Sequence, residues 1–189
     1  MRQRSALIGA AIILAACADG PTEPTDVEVS YGRHGDGLVS KPFRATLFTG
    51  IAGFAPDPAC GEPPRFLNTQ VGEGEATHLG RFAVVITFCI DATDVLDDGQ
   101  LTEGESLPYD HGVGTLIAAN GDELYLSISG AVLPSDHPDF DFEFHDPFSF
   151  TGGTGRFEGA TGGGSTDSFV DQAADRTEHD WTGRLVLPR

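Results

Sequence analysis

The chain has 189 residues, of which 11 are basic and 29 acidic, and its formal net charge is −18. A surface this negative repels phosphate backbones and anionic lipid, so we expect no nucleic-acid partner and no direct contact of the domain with a membrane. The length fits a single domain with a hydrophobic core of useful size.

The first 17 residues predict an export signal. Two arginines give a positive start, residues 6–14 are apolar, and small residues lead into Cys17. The apolar stretch is shorter than the roughly 20 residues needed to span a bilayer. Its ending resembles the lipobox of bacterial lipoproteins, which implies that residues 1–16 are removed and that Cys17 is lipidated. We expect a membrane-anchored protein in the periplasm or on the cell surface; an ordinary cleaved signal is the alternative.

Residues 17–40 are predicted to form the lipidated start and a disordered tether, because glycine, proline and polar residues dominate them. The folded domain is expected over residues 41–189. Removal of the signal takes away two arginines and no acidic residue, which leaves the mature chain with a formal charge of −20.

The two remaining cysteines are Cys60 and Cys89. In an oxidising compartment a lone pair of this kind predicts a disulfide. A reactive thiol is the alternative, and it is disfavoured because no cationic residue adjoins either cysteine in the sequence.

The folded region predicts strands rather than helices. Runs rich in Val, Ile, Phe, Thr and Leu alternate with clusters of Gly, Asp, Asn and Pro. The eight predicted strands are residues 43–49, 65–72, 81–91, 112–119, 123–133, 140–151, 161–170 and 177–187. Asn120-Gly121 predicts a hairpin between the fourth and fifth strands. We expect an all-β fold, an eight-stranded antiparallel β-barrel, since closure removes both sheet edges; a β-sandwich is the alternative.

Two long connections are predicted, over residues 50–64 and 92–110. Long loops on a rigid barrel are common places for binding groups. The second loop is acidic, so a partial calcium site within residues 91–105 is one interpretation and a solvated acidic loop is the other.

A glycine-rich segment follows the sixth predicted strand. Its motif residues are Gly152, Gly153, Gly155, Arg156, Phe157, Gly159 and Ala160. The glycines permit a tight turn between strands, so we expect Phe157 and Ala160 to close one barrel end and Arg156 to pair with a carboxylate. A phosphate cradle is the alternative, but the spacing matches neither the dinucleotide pattern nor a P-loop.

This segment resembles the Gly-Gly-x-Gly-x-Phe-x-Gly-Ala segment of the allene oxide cyclase and dirigent barrel superfamily. Residues 77–82 and 114–122 look like bacterial relatives of that group, so the resemblance covers the domain. It implies a small calycin-like antiparallel barrel around an apolar cavity, and a homo-oligomer, a trimer in the plant members. No residue in 41–91 can be paired with the cyclase active site, so catalytic residues stay unknown.

Residues 137–146 alternate between phenylalanine and polar side chains. With a period of two, the phenylalanines share one face and the polar row lies on the other. The row comprises Asp139, Asp141, Glu143 and His145. The simpler interpretation places the phenylalanines in the core and the charged side chains in water. The alternative is that the polar row forms a divalent-metal site. We predict no cofactor.

Hydrolase motifs of the Gly-x-Ser-x-Gly and His-Glu-x-x-His kinds are missing from the sequence. His78 is expected to hydrogen-bond its turn, and Trp181 to anchor the core or line a cavity. We therefore expect a lipid-anchored envelope barrel that binds a small apolar ligand or acts as an interaction module, with no assignable catalysis. The alternative is an isomerase or cyclase of allene oxide cyclase type that uses the cavity as a template.

Overall fold

The computed structural model describes residues 37–95 and 99–189. The expected signal peptide, Cys17 and most of the expected tether lie outside the described residues. The strands are β1 (Leu38–Ala55), β2 (Arg65–Ala76), β3 (Gly80–Asp91), β4 (Leu107–Ala118), β5 (Glu123–Pro134), β6 (Phe142–Phe144), β7 (Pro147–Gly153), β8 (Thr161–Asp171) and β9 (Arg176–Pro188). Short 3₁₀ turns occupy Pro58–Cys60, Thr93–Val95 and Gly155–Phe157. Within the described residues, no helix is long and apolar enough to cross a membrane.

The strands form one closed antiparallel barrel. The ladder runs from β4 through β3, β2, β1 and β9 to β8, and β8 pairs with both β6 and β7. Both of these segments pair with β5, and β5 pairs with β4, which completes the ring. The predicted eight-stranded barrel is confirmed, and the sandwich alternative is wrong because neither edge is left open.

The segments β6 and β7 are two parts of one barrel strand. Phe144 pairs with Ser168 and Pro147 with Ser165, so the register against β8 is unchanged across the break. At the break, the backbone N–H of Asp146 donates to the Thr166 hydroxyl at 3.1 Å in place of a ladder bond. The predicted strand over residues 140–151 is therefore interrupted once and begins later than expected.

The walls alternate between an inner and an outer face, as a half-buried strand requires. In β3, Phe82, Val84 and Ile86 are buried, whereas Ala83 and Val85 are exposed. The same period of two in each strand supplies the core of the barrel.

The first strand is longer than the sequence predicted. It begins at Leu38, ahead of the expected domain boundary at Lys41, and continues to Ala55 through residues predicted as loop. Ladders with β9 and β2 hold the two extensions, and the β1–β2 ladder carries a register shift between Ile51 and Gly53.

The glycine-rich segment packs its side chains into one end of the barrel. Phe157 and Ala160 are almost completely buried there. Arg156 Nε lies 3.4 Å from Asp122 Oδ2, which is the carboxylate partner expected for it. Gly155 has a φ of +54° and sits against the Asp122 side chain, so this turn needs glycine.

The opposite end carries the longer connections. They include the two longest connections, from β1 to β2 and from β3 to β4, together with those from β5 to β6 and from β8 to β9. The disulfide between Cys60 and Cys89 fastens the first of these connections to β3. The barrel is thus capped at one end and elaborated by loops at the other.

Candidate ligand-binding lumen

The loop end of the barrel encloses a cavity of about 350 Å³. This volume lies at the lower end of the range of about 300–1,000 Å³ typical of small-molecule sites. Much of its wall is apolar, contributed by Ile86, Phe88, Ile90, Ile128, Val132, Phe142 and Phe144. The exposed residues Gln172 and Asp175 also line it, so the cavity reaches the surface at the turn that joins β8 to β9.

The floor of the cavity is an aromatic layer. Trp181 is almost fully buried and lines the cavity, and its ring centroid lies 5.3 Å from that of Phe148. Below it, Phe43 meets Phe150 edge to face at 4.9 Å. Trp181 therefore anchors the core and also lines the cavity, the two roles that the sequence suggested for it.

A chain of hydrogen bonds runs beside the cavity through a buried histidine. Ser168 Oγ lies 2.9 Å from His179 Nδ1, and His179 Nε2 lies 2.9 Å from Thr49 Oγ1. Thr49 Oγ1 in turn donates to Gln70 Oε1 at 2.9 Å. Because Thr49 uses its only proton on Gln70, it accepts from His179 Nε2–H, and Ser168 donates to Nδ1.

Burial fixes the charge state of this histidine. Removal from water lowers the pKa of His179 to about 3, since no carboxylate partner compensates for a positive charge. His179 is therefore neutral near pH 7, and both of its ring nitrogens are already engaged. It contributes shape and a fixed dipole to the wall rather than a charge.

Two buried polar atoms at the cavity wall are left without partners. Among the described residues, nothing hydrogen-bonds to Trp181 Nε1 or to Asn68 Oδ1. Both residues line the cavity and both are at least nine-tenths buried. Such atoms are uncommon in folded proteins because an unmade buried hydrogen bond is costly.

A second polar pair lies on the far side of the barrel. Tyr109 lines the cavity, and its hydroxyl donates to Asp146 Oδ2 at 2.8 Å. Gly130 provides the room for this contact, since a side chain there would overlap the Asp146 carboxylate. Burial, followed by the hydrogen bond to Asp146, raises the pKa of Tyr109 well above its usual range.

The polar row predicted over residues 139–145 lies outside the cavity. Asp141 Oδ2 accepts the backbone N–H of Gln172 at 2.8 Å, and Glu143 Oε2 accepts the Ser135 hydroxyl at 2.8 Å. His145 pairs with Asp167 at 2.9 Å and with Glu143 at 3.5 Å. Asp139 donates its backbone N–H to His137. These contacts match a solvated face with local partners.

Three carboxylates of the acidic loop are engaged in the same local way. Asp91 Oδ1 accepts from Thr93, Asp94 from the backbone of Ser106, and Glu105 from Thr102. These bonds hold the loop in shape. The carboxylates of residues 97 and 98 lie outside the described residues.

Across residues 37–95 and 99–189, one group of metal-ligand types lies close together, namely Cys89, Asp110 and His111. Cys89 is bonded to Cys60 and cannot serve as a thiolate ligand. Asp110 also pairs with Arg65 and with His111. The group is thus an ion-pair network beside the disulfide.

Sequence reasoning did not single out His179, Thr49, Gln70, Asn68 or Ser168. A partial indication was available, because a period of two in the last strand puts His179 on the same face as Trp181. His78, which was expected to hydrogen-bond its own turn, instead bonds the carbonyl of Pro42 in β1 at 3.0 Å, 36 positions away.

No family model matches this chain, and no curated protein matches it. Among solved structures, the pterocarpan synthase dirigent protein GePTS1 matches with 12% sequence identity and a TM-score of 0.45. The match covers 92% of this chain and 100% of that one.

Proposed function

We propose that the protein is a lipid-anchored envelope barrel that binds a small, mostly apolar molecule in its lumen. The observation that supports this is the unfilled cavity, which has largely apolar walls and reaches the surface at the loop end. A packed protein interior leaves few voids larger than a water molecule, so a cavity of this size is unusual in a core. Pockets of this kind typically take apolar ligands.

Fluorescence of a neutral apolar dye tests the binding. N-phenylnaphthylamine should bind the mature domain with enhanced emission, and competing apolar molecules should displace it. A ligand at about 100 times its Kd stabilises the folded state by about 2.7 kcal/mol and should raise Tm by several degrees. A broad panel that neither displaces the dye nor raises Tm would contradict the proposal.

Anchoring needs a separate experiment. The proposal assigns the lipid to Cys17, because a positive start, a short apolar stretch and small residues precede that cysteine. Metabolic labelling with a radioactive fatty acid should mark the wild-type protein and leave Cys17→Ser unlabelled. Equal labelling of both would refute the anchor and leave the barrel proposal intact.

Template catalysis is a second candidate, as an isomerase or cyclase. The observation that favours it is that polar side chains line an unfilled lumen, which a mould for a reactive intermediate requires. Neutral His179 does not supply a strong base near pH 7, so shape would supply the effect. An unsaturated epoxide that rearranges to the same product ratio with and without the protein would exclude this activity for that substrate class.

A further inference from the structure

We infer that the lumen takes a cationic amphiphile, a molecule whose apolar body fills the cavity and whose single amine or quaternary ammonium group stays at the mouth. This inference rests on the proposed function, since it names the chemistry of the molecule that the lumen takes. It is derived from the distribution of charge around the cavity, which is neutral inside and carries carboxylates where it opens.

The interior of the cavity offers no partner for a charged group. Of the described residues that line it, only Asp171, Asp175 and Arg176 are charged, and all three lie at or beside the turn that joins β8 to β9. Deeper in the barrel, His179 is neutral near pH 7 because burial lowers its pKa to about 3. An ion in the interior would lose its hydration without gaining a counter-ion. A charged group on the ligand therefore stays at the mouth.

Two carboxylates at the mouth determine the sign of that group. Asp171 ends β8, and Asp175 ends the turn that follows it. Asp171 Oδ1 accepts the backbone N–H of Ala174 at 3.0 Å, and Asp175 Oδ1 accepts that of Ile51 at 3.2 Å. These bonds fix the position of both side chains. Among the described residues, no ion pair joins either carboxylate to a basic side chain.

Arg176 does not neutralise the mouth, because its guanidinium lies on the outer wall. Its Nε pairs with Glu178 at 3.1 Å, and the guanidinium lies 3.7 Å from the Phe48 ring centroid. Glu178 stands between the buried residues Thr177 and His179 on β9, so its side chain points away from the lumen. Phe48 is its ladder partner on β1 and shares that outer face.

The remainder of the loop end has the same sign. Each of the four connections there contains aspartate or glutamate, and none contains lysine or arginine. Asp141 accepts the backbone N–H of Gln172 at 2.8 Å, so a third carboxylate lies against the β8–β9 turn. An anionic ligand would be repelled here, and a cationic one attracted.

Apolar side chains accompany the carboxylates at the mouth. Ile51 and Phe54 line the cavity, and 51% and 50% of their surfaces are exposed. Ile51 also lies beside Asp175, to which it donates its backbone N–H. Acidic side chains alone do not define a site, but these two line an unfilled apolar cavity. The combination selects an amphiphile over a free cation.

Four compounds separate the effect of charge from that of the apolar body. They are octylammonium, octan-1-ol, octanoate and ethylammonium, titrated by calorimetry into the mature chain with Cys17→Ser, so that no lipid competes for the lumen. At low ionic strength octylammonium should bind at least about fivefold more tightly than octan-1-ol, since two carboxylates attract it. Octanoate should bind more weakly than either, and ethylammonium should show no measurable binding. At about 1 M salt the preference for octylammonium should shrink, because exposed charges are then screened.

Matched double variants assign the effect to the mouth. Asp171→Asn with Asp175→Asn keeps the oxygen that each turn bond needs and removes both charges. It should lower the affinity for octylammonium at least about threefold and leave that for octan-1-ol unchanged. Glu75→Gln with Glu158→Gln is the control, since it removes the same charge from exposed side chains near the other end of the barrel. The control should keep the wild-type affinity for both compounds.

The outcomes separate the two proposals. Equal affinity for the three octyl compounds, or tightest binding of octanoate, would overturn this inference and leave ligand binding in place. Ethylammonium that binds as tightly as octylammonium, or equal losses in the two double variants, would show attraction to the acidic surface as a whole and would also overturn it. If N-phenylnaphthylamine binds and no octyl compound displaces it, the inference falls alone. If neither the dye nor any octyl compound binds, the proposed function falls with it.

Discussion

Thr49 Oγ1 lies 2.9 Å from His179 Nε2, so β1 and β9 are joined inside the barrel as well as along their ladder. The contact spans 130 positions of sequence and is completely buried. It places the neutral His179 imidazole in the middle of the hydrogen-bonded chain that runs from Ser168 through Thr49 to Gln70. This chain provides a first test of the structure, because the buried histidine makes the free energy of unfolding depend on pH.

Stability should fall in mild acid because of His179. Its pKa is about 3 in the folded state and near 6.5 when unfolded, so the unfolded chain binds the extra proton between these values. The His179 contribution is therefore complete above about pH 6.5 and is lost at about 1.4 kcal/mol per pH unit as pH falls toward 3. Urea unfolding of the wild type at pH 7, 6 and 5 measures the slope.

Replacement of the histidine removes this slope. His179→Gln should be less stable at pH 7 by about 1–3 kcal/mol, because buried hydroxyl groups lose a partner. Between pH 7 and 5 it should lose less stability than the wild type does. His78→Gln, at an exposed turn, is the control and should keep the wild-type slope. Parallel pH profiles for the wild type and His179→Gln would show that the histidine is not buried as described.

Much of the barrel could be predicted from the sequence because alternation is a local property. Leu124, Leu126 and Ile128 are spaced by two and are buried, and β5 occupies the predicted range 123–133 almost residue for residue. The closed end was also predictable, since Phe157 stands between glycines that force a turn. In both cases the information lies within about ten residues of chain.

The hydrogen-bonded chain through His179 and the unfilled lumen could not be predicted from the sequence, because both depend on contacts between residues that are far apart in the chain. Alternation puts His179 on the inner face, but it does not show that Thr49 and Ser168 lie beside it. Nor does it show how far the aromatic side chains fill the barrel. Phe43, Phe148 and Phe150 cluster in the half of the barrel next to the glycine-rich segment and leave the half next to the long loops unfilled. Their positions depend on the register of strand pairing around the barrel.

Removal of the ring that closes the barrel should be severely destabilising. Phe157 is completely buried, so Phe157→Ala should cost about 3–5 kcal/mol in the free energy of unfolding. Val113, by contrast, has 56% of its surface exposed on the outer wall, and Val113→Ala should stay within about 0.5 kcal/mol of wild type. Urea denaturation compares them. Similar losses for the two variants would contradict the closed end described here.

Loss of the disulfide should weaken the domain by a comparable amount. The bond closes a loop with a sequence separation of 29, for which chain entropy gives about 3–4 kcal/mol. The double variant Cys60→Ser with Cys89→Ser should show this loss in urea denaturation, and reduction of the wild type should reproduce it. Thiol titration of the unfolded, unreduced wild type should find neither cysteine free. Two free thiols there would refute the bond.

A pair of neighbouring substitutions distinguishes the lumen from the packed core. Leu126 and Ile128 are inward residues on β5, but Ile128 lines the cavity whereas Leu126 does not. Ile128→Trp places an indole in open space, so it should block N-phenylnaphthylamine binding at least about tenfold and change stability by less than about 1.5 kcal/mol. Leu126→Trp adds the same ring to a filled site and should cost about 1–3 kcal/mol or more. Dye titration and urea denaturation of both variants give the answer. If Ile128→Trp is destabilised as much as Leu126→Trp, the loop half of the barrel is packed and has no room for a ligand.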